Sequence, residues 1–385
     1  MLVVGAGIGG LSAATALRHV GFDCHVFEQG PELRDIGAGV GLQVVARKAL
    51  DWMGFKDGLA SISGPMHRRL ELKDRKGHVL AVIPQEAVTV HRRDLLLKLG
   101  EPLLADGAID LNTRVIGFAQ DDEGVTTRLQ DGSEQRGAVL IGADGIHSVT
   151  RIGLLGEQPQ RYSGFTVWRA IPEFSHPALA GGLSQQAFGR GSLFGMFPSS
   201  AGRVYWFASR TAPEGEQDAG GGRKAEIARL FSDWYEPVQQ LIAATPEETI
   251  DRKDIYDRPP VERWGEGRVT LLGDAAHATL PTLGQGAGQA IEDSAVLAHQ
   301  LASRCPELDD GRAIDAALRA YERTRMPRTA EIVNESYSIS RTYKWTNPLV
   351  VWGRDMGLRL TPNRVWEKQA DKEEAFDLFA EPVKS

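Results

Sequence analysis

Three glycine positions at the start of this chain constrain its fold more than any other feature. Leu2-Val3-Val4 is an apolar run rich in β-branched residues. Gly5-Ala6-Gly7-Ile8-Gly9-Gly10 follows, and residues 11–20 are Ala-rich and helix-prone. Residues 22–27 read as a second strand that ends in Glu28. Strand, glycine turn, helix, strand and acid, in that order, are the context a dinucleotide-binding turn requires. Gly5 permits the tight turn, Gly7 lets backbone approach a pyrophosphate, and Gly10 lets helix and strand pack closely; Gly9 belongs to the same grip. The helix N-terminus offers free N–H groups and partial positive charge to phosphate. Glu28, with Gln29 beside it, stands where a carboxylate accepts hydrogen bonds from ribose hydroxyls. This pattern alone does not separate NAD from FAD.

Several classes are excluded by composition. A net charge of −7 argues against sequence-independent nucleic-acid binding. No apolar run reaches the roughly 18 residues that a spanning helix needs, and the N-terminus lacks the basic segment of a signal peptide. Cys24 and Cys305 are the only cysteines, too few for a disulfide framework and in keeping with a reducing compartment. No HExxH motif or clustered Cys/His spacing points to a metal. The reading is therefore a soluble, cytoplasmic monomer or homodimer. Its partners are small molecules, with neither nucleic acid nor membrane among them. The first strand is short beside the usual 5–6 residues or so, which leaves room for a residue or two before Met1.

Further along, residues 33–40 read as a glycine-punctuated loop, 44–53 as a helix, 66–90 as short strands and 91–104 as a helix. Residues 139–145 form an apolar strand ending in small residues and Asp144. From about 160 to 210 the texture changes to aromatic-rich strands joined by Gly, Pro and Ser turns, which reads as an antiparallel sheet with one covered face. Residues 211–223 read as a mobile loop and 224–244 as a helix. A short strand at 269–272 precedes Gly273-Asp274, and a long helix spans 289–302. The chain is helical from 313, with breaks at Pro327, Pro348 and Pro362. The expected fold class is α/β. A Rossmann-like domain with a mixed parallel sheet takes residues 1–160 and 250–310, with a small inserted strand region near 66–90. An antiparallel-sheet substrate domain takes 161–249, and a helical segment takes 311–385.

Three blocks together resemble the single-component FAD-dependent aromatic monooxygenases, the group of p-hydroxybenzoate, salicylate and urate hydroxylases. They are GAGIGG with Glu28, IGADGIHSVTR at 141–151, and RVTLLGDAAHATLPTLGQGAGQAIEDS at 268–294. Arg92 and Leu95 match that family's Arg-x-x-Leu helix start. The resemblance implies FAD as cofactor, NADH or NADPH as transient co-substrate, and dioxygen. It implies hydroxylation of an electron-rich aromatic or heteroaromatic small molecule through a flavin C4a-hydroperoxide. By the same resemblance, Arg92 contacts the cofactor, and Asp144 and Gly145 border the flavin–pyrophosphate region and the path of the nicotinamide. Gly273 and Asp274 hold the ribityl chain. Gly284, Gln285, Gly286, Ala287 and Gly288 lie against the isoalloxazine ring, and Pro281 packs near its reactive edge.

Pro281, Gly284 and Arg169 are the catalytic candidates. Arg169 reads equally as the partner of a substrate carboxylate or phenolate and as an edge-strand surface cation. Phe165, Trp168, Phe188, Phe194, Met196 and Trp206, with Leu280, are candidates for the apolar wall that keeps water from such chemistry. Alternation along strands turns about half of them toward the chamber and the rest into core. Asp144 also reads as a helix N-cap, and His277 as a packed structural histidine, since no partner acid is evident.

Some positions depart from relatives. The arginine of urate hydroxylases falls at Leu193 here, and their acid after the proline falls at Thr282, which disfavours urate. Val167-Trp168-Arg169-Ala170-Ile171-Pro172 lacks the two tryptophans in register of flavin halogenases, and no second GxGxxG of the Baeyer–Villiger type is present. The Gly-Gln-Gly stretch that ends in Ile291-Glu292-Asp293 also resembles epoxidases of the zeaxanthin type. An epoxidase or a hydroxylase of a polyketide or terpenoid is thus the same-fold alternative. A flavin-binding regulator without turnover is the alternative from another class.

Overall fold

The computed structural model describes residues 1–33 and 39–380, so most of the loop expected at 33–40 lies outside the described residues. Five short strands form a parallel sheet in the order Val269–Leu271, Leu140–Gly142, Leu2–Val4, His25–Phe27, Ile109–Asp110. Strands this short hold because both faces are covered. Val3 and Ile141 pack with Leu11, Ala14 and Leu17 of the helix Ile8–His19 and with Ala295 of the helix Gly286–Arg304. Leu2, Val4 and Leu140 face the other way, against Val115, Val125 and Leu129. Those three belong to a small antiparallel sheet of Val115–Gln120, Val125–Leu129 and Glu134–Gly137.

A second sheet has eight strands, in the order Asp251–Asp257, Arg161–Ala170, Val204–Thr211, Ser192–Pro198, Ser184–Phe188, His67–Asp74, Val79–His91, Gly39–Gln43. The strands of the 66–90 region hydrogen-bond into it, and Ser184–Phe188 runs parallel to His67–Asp74, so this sheet is mixed. Both of its faces are covered, where the sequence suggests one. Trp168, Phe194, Met196 and Trp206 pack against Ile227, Phe231, Trp234 and Leu241, and the Phe194 and Trp206 rings stack at 5.4 Å. The helical stretch supplying that cover is two helices, Arg223–Leu230 and Val238–Ala244. Between them stands Pro237, which has no amide to continue a helix. The loop at 211–223 is anchored: Asp218 accepts from Trp168 Nε1 at 3.0 Å and pairs with Arg252 at 3.1 Å.

The C-terminal helices are Gly311–Tyr343, Pro348–Leu360 and Asn363–Glu374. Pro348 and Pro362 stand at helix starts, where a missing amide is harmless. Pro327 does not break its helix. Arg325 and Arg328 flank it and hold both adjoining turns to the helix Gly286–Arg304: Arg325 Nε donates to Asp293 Oδ1 at 2.7 Å, Arg325 Nη1 to Glu292 Oε2 at 2.8 Å, and Arg328 Nε to Glu292 Oε2 at 2.9 Å. Tertiary bonds of this kind offset the one lost at proline.

Asp293 and Arg325 are fully buried. Burial disfavours the charged carboxylate, but the adjacent charges of His277 and Arg325 outweigh it and hold Asp293 below the usual range. A carboxyl lowered in the folded state contributes stability above its unfolded value of about 4. That contribution disappears as pH falls through the folded value. Arg325→Met takes the shared cation from two buried acids, leaving Glu292 to Arg328 and Asp293 to His277, and is expected to cost about 3 kcal/mol, read as an earlier urea midpoint at neutral pH. An unchanged midpoint would contradict this account of how the long helix is held.

Candidate active site

Three turns leave the carboxyl ends of neighbouring parallel strands in one row. Val4 is paired with Gly142, and Gly142 with Leu271. The turns at Gly5, Ala143 and Leu272 therefore start side by side, at the sheet edge where open parallel sheets bind ligands.

Each glycine of the first turn answers a different demand. Gly5 has φ +96°, and a Cβ there would lie 2.7 Å from the Ala143 carbonyl oxygen. A Cβ on Gly10 would lie 1.8 Å from the Gly5 oxygen, and one on Gly9 2.8 Å from Leu272 Cδ2. Gly7 differs: nothing stands within 4 Å of its missing Cβ, and it caps the helix Ile8–His19 on the side of a cavity. Glu28 braces the turn from below, accepting from the Ala6 amide at 2.8 Å and the Gly30 amide at 2.7 Å. Gln29 beside it is exposed.

In the second turn, Asp144 accepts from Ser148 Oγ at 2.5 Å and from the Thr150 amide at 3.1 Å. It thus organises the start of the helix Val149–Leu155, and burial pushes its carboxyl up. Ala143 and Gly145, on either side of it, line the cavity. In the third turn the Gly273 amide donates to Asp293 Oδ2 at 3.0 Å, while the exposed Asp274 side chain lines the cavity. His277 has a partner acid after all: its Nε2 lies 2.6 Å from Asp293 Oδ2. The acid comes from the helix Gly286–Arg304, sixteen residues on, and the pair belongs to the buried network with Arg325 rather than to the cavity.

After this turn come Pro281–Leu283, one tight turn, and Gly284 in the left-handed region at φ +65°. The helix Gly286–Arg304 then begins, with Gly286 and Ala287 on the cavity. Its first amides have no partner within the helix and carry partial positive charge. Pro281, Gly284 and Arg92 share this lining. Gln285 and Gly288 stand behind it. Gln285 Nε2 donates to Glu373 of the last helix at 3.0 Å, and a Cβ on Gly288 would lie 3.3 Å from Ala46 Cβ.

The same cavity, about 390 Å³, continues beneath the eight-stranded sheet. There its wall is Phe165, Val167, Leu193, Phe197, Phe207 and Leu280. Of the aromatic wall expected from the sequence, Phe165 and Leu280 face this space. Trp168, Phe194, Met196 and Trp206 occupy the opposite face of the sheet. Phe188 packs with Tyr343 and Leu193 beneath the C-terminal helices instead. Arg169 lies on Arg161–Ala170, which is paired on both sides and is not an edge strand, and faces the cavity with its Nε donating to Asp251 Oδ2 at 2.9 Å. Tyr205, which sequence reasoning missed, lines the cavity near Arg169 and Arg92, and burial pushes its phenol up. His67 and Gln186 were also missed. His67 is bonded to the Gly182 carbonyl at 2.9 Å and Thr89 Oγ1 at 3.0 Å, and burial lowers its pKa.

These residues fit FAD. The open face of Gly7, two helix N-termini and Asp274 converge on one elongated space that ends in an apolar chamber. The arrangement defines a dinucleotide-binding oxidoreductase. The chain belongs to the FAD binding domain family, which matches residues 1–336, and within it to the single-component FAD-dependent aromatic monooxygenases. It is 36% identical, across 94% of both chains, to the Aurachin C monooxygenase/isomerase of Stigmatella aurantiaca. It is also 36% identical to the FAD-dependent urate hydroxylase of Klebsiella pneumoniae, over 86% of this chain and 87% of that one. The crystal structure of Klebsiella pneumoniae HpxO complexed with FAD and uric acid superposes with a TM-score of 0.86 at 32% identity, covering 96% of this chain and 95% of that chain.

Gly7 and Gly10 should fail differently when substituted. A Cβ on Gly7 has no protein atom within 4 Å, so Gly7→Ala is expected to fold, and its overlap with the cofactor is expected to cost about 1–3 kcal/mol, a roughly 5- to 150-fold weaker FAD in a quenching titration. Gly10→Ala drives a methyl into the Gly5 carbonyl and is expected to lower the unfolding midpoint itself. Equal losses of stability in the two variants would contradict the assignment.

Proposed function

We propose that the protein hydroxylates an electron-rich aromatic or heteroaromatic small molecule, using FAD, dioxygen and NADH or NADPH. The observation that carries this reading is the continuity of one cavity from the three turns to the apolar chamber. FAD bound at the turns supplies the redox chemistry that no side chain here provides. The chain's own residues bind, orient and exclude water. We assign the pyrophosphate to Gly5, Gly7, Gly9 and Gly10 with Asp144 and Gly145, and the adenosine ribose to Glu28 and Gln29. We assign the ribityl chain to Arg92, Gly273 and Asp274, and the ring to Gln285, Gly286, Ala287 and Gly288. Pro281 and Gly284 border the reacting edge of that ring. Arg169, fixed by Asp251, orients a polar ring substituent together with the Tyr205 phenol.

Leu193 and Thr282 both line the cavity, where urate hydroxylases carry an arginine and an acid. That favours a substrate less polar than urate. A cytoplasmic location suits the two buried free thiols, Cys24 and Cys305.

The test is oxidation of NADH and NADPH by the yellow holoenzyme, with and without a panel of aromatics, and mass analysis for gain of one oxygen atom. Stimulation by an apolar phenol or bicyclic heteroaromatic, and none by urate, is expected. Oxidation that no aromatic stimulates would overturn the aromatic hydroxylase reading. Two alanine variants separate wall from core. Phe207→Ala is expected to raise KM about tenfold or more and to release more peroxide, with a smaller loss of stability than a core truncation, since Phe207 is only partly buried. Phe194→Ala is expected to cost about 3–5 kcal/mol of stability and to leave KM near the parent value.

A further inference from the structure

We propose that the outer face of the helix Pro348–Leu360, with the start of the helix that follows, docks on an anionic lipid surface. Eleven large apolar side chains are exposed among the described residues, and six of them lie within 345–365. Leu349, Trp352, Met356 and Leu360 recur at helical spacing and so form one stripe. Leu349 is 78% exposed, Trp352 65% and Leu360 73%. The helix itself is firmly seated by its opposite face. Val351 is buried, the Arg354 guanidinium lies 5.0 Å over the Phe188 ring and donates to the Gly189 carbonyl at 3.3 Å, and Leu358 packs beside Leu193 and Tyr343. An apolar stripe held outward on an anchored helix marks an interaction surface.

Charge chooses the occupant. Residues 341–368 carry six basic and two acidic side chains in a chain whose net charge is −7. Arg341, Arg359, Arg364 and Lys368 are exposed, Arg359 also reaching Asp74 at 3.7 Å, while Asp355 is paired with Arg354 at 2.8 Å. A second copy related by a twofold axis would set this basic segment against itself. An anionic bilayer complements it. Tryptophan and leucine below a rim of arginine and lysine is the composition of helices that lie in the membrane interface. None of the described helices is long and apolar enough to cross a membrane. The spanning criterion by which the sequence excluded a membrane partner does not apply to a helix lying in the interface. Leu193 and Tyr343, packed near this helix, also line the cavity. Docking therefore brings the chamber close to the lipid, where an apolar aromatic substrate dissolves. This last consequence rests on the proposed function; the docking does not.

The test is co-sedimentation of the FAD-loaded protein with vesicles of phosphatidylcholine mixed with phosphatidylglycerol, and of phosphatidylcholine alone. The protein is expected to pellet with the anionic vesicles and to be released by salt. Leu349→Ser with Trp352→Ser is expected to lower binding about tenfold or more. Arg359→Gln with Arg364→Gln is expected to lower it roughly fivefold per charge. Flavin absorbance checks that each variant is folded. Failure of the parent protein to bind anionic vesicles would overturn the proposal, as would binding that neither pair weakens. So would a dimer in sedimentation velocity that Leu349→Ser with Trp352→Ser dissolves, since the stripe would then be a self-interface. Vesicle binding is read without turnover, so its failure leaves the monooxygenase reading intact.

Discussion

The register of three parallel strands governs the rest of this structure. Val4, Gly142 and Leu271 stand in one row, so three segments of chain that are far apart in sequence turn outward at the same level. A slip of one residue in any pair would move a glycine turn off the row and turn its strand's side chains to the wrong face. The row is locked from both sides. Val3 and Ile141 pack into one core, and Leu2, Val4 and Leu140 into another. Gly10 sits against the Gly5 carbonyl so closely that no other residue fits. The buried Asp293, His277 and Arg325 then fix the third turn to the two long helices behind it.

The second constraint is an eight-stranded sheet that is apolar on both faces. One face closes a core with the helices of 223–244, and the other roofs the cavity. Chemistry that must be shielded from water needs such a roof, and the roof needs the rigid core above it to keep its shape. Polar groups enter the chamber at few points: Arg169 tethered by Asp251, Tyr205, and His67 held by Gly182 and Thr89. Each is fixed by a neighbour or by burial, which preserves its orientation in an otherwise apolar space.

The glycine turns were legible in the sequence because their physics is local. Gly5, Gly7 and Gly10 answer backbone demands that a strand, a turn and a helix impose within a dozen residues. Gly273 and Gly284 likewise adopt left-handed or strained backbone where they stand. The chamber was less legible because its physics is not local. Along Arg161–Ala170 and Val204–Thr211 both sets of alternate residues include large apolar side chains, so nothing in the pattern tells Trp168 and Trp206 on the core face from Val167 and Phe207 on the cavity face. Only the helices of 223–244, packed on one side, decide it. The acid that pairs with His277 was invisible for the same reason, as it arrives from another helix. The continuity through Pro327 depends on Arg325 and Arg328 reaching a partner helix, which no propensity records. The strands near 66–90 read correctly as strands, but their pairing with Ser184–Phe188 is a long-range choice.

One measurement bears on the central claim most directly: a crystal structure of the FAD-loaded protein. The account requires a single flavin running along the row of turns, its diphosphate over Gly7 and its ring against Pro281 and Gly284, facing Phe207. A flavin bound elsewhere, or one whose ring lies away from the chamber under the eight-stranded sheet, would contradict it.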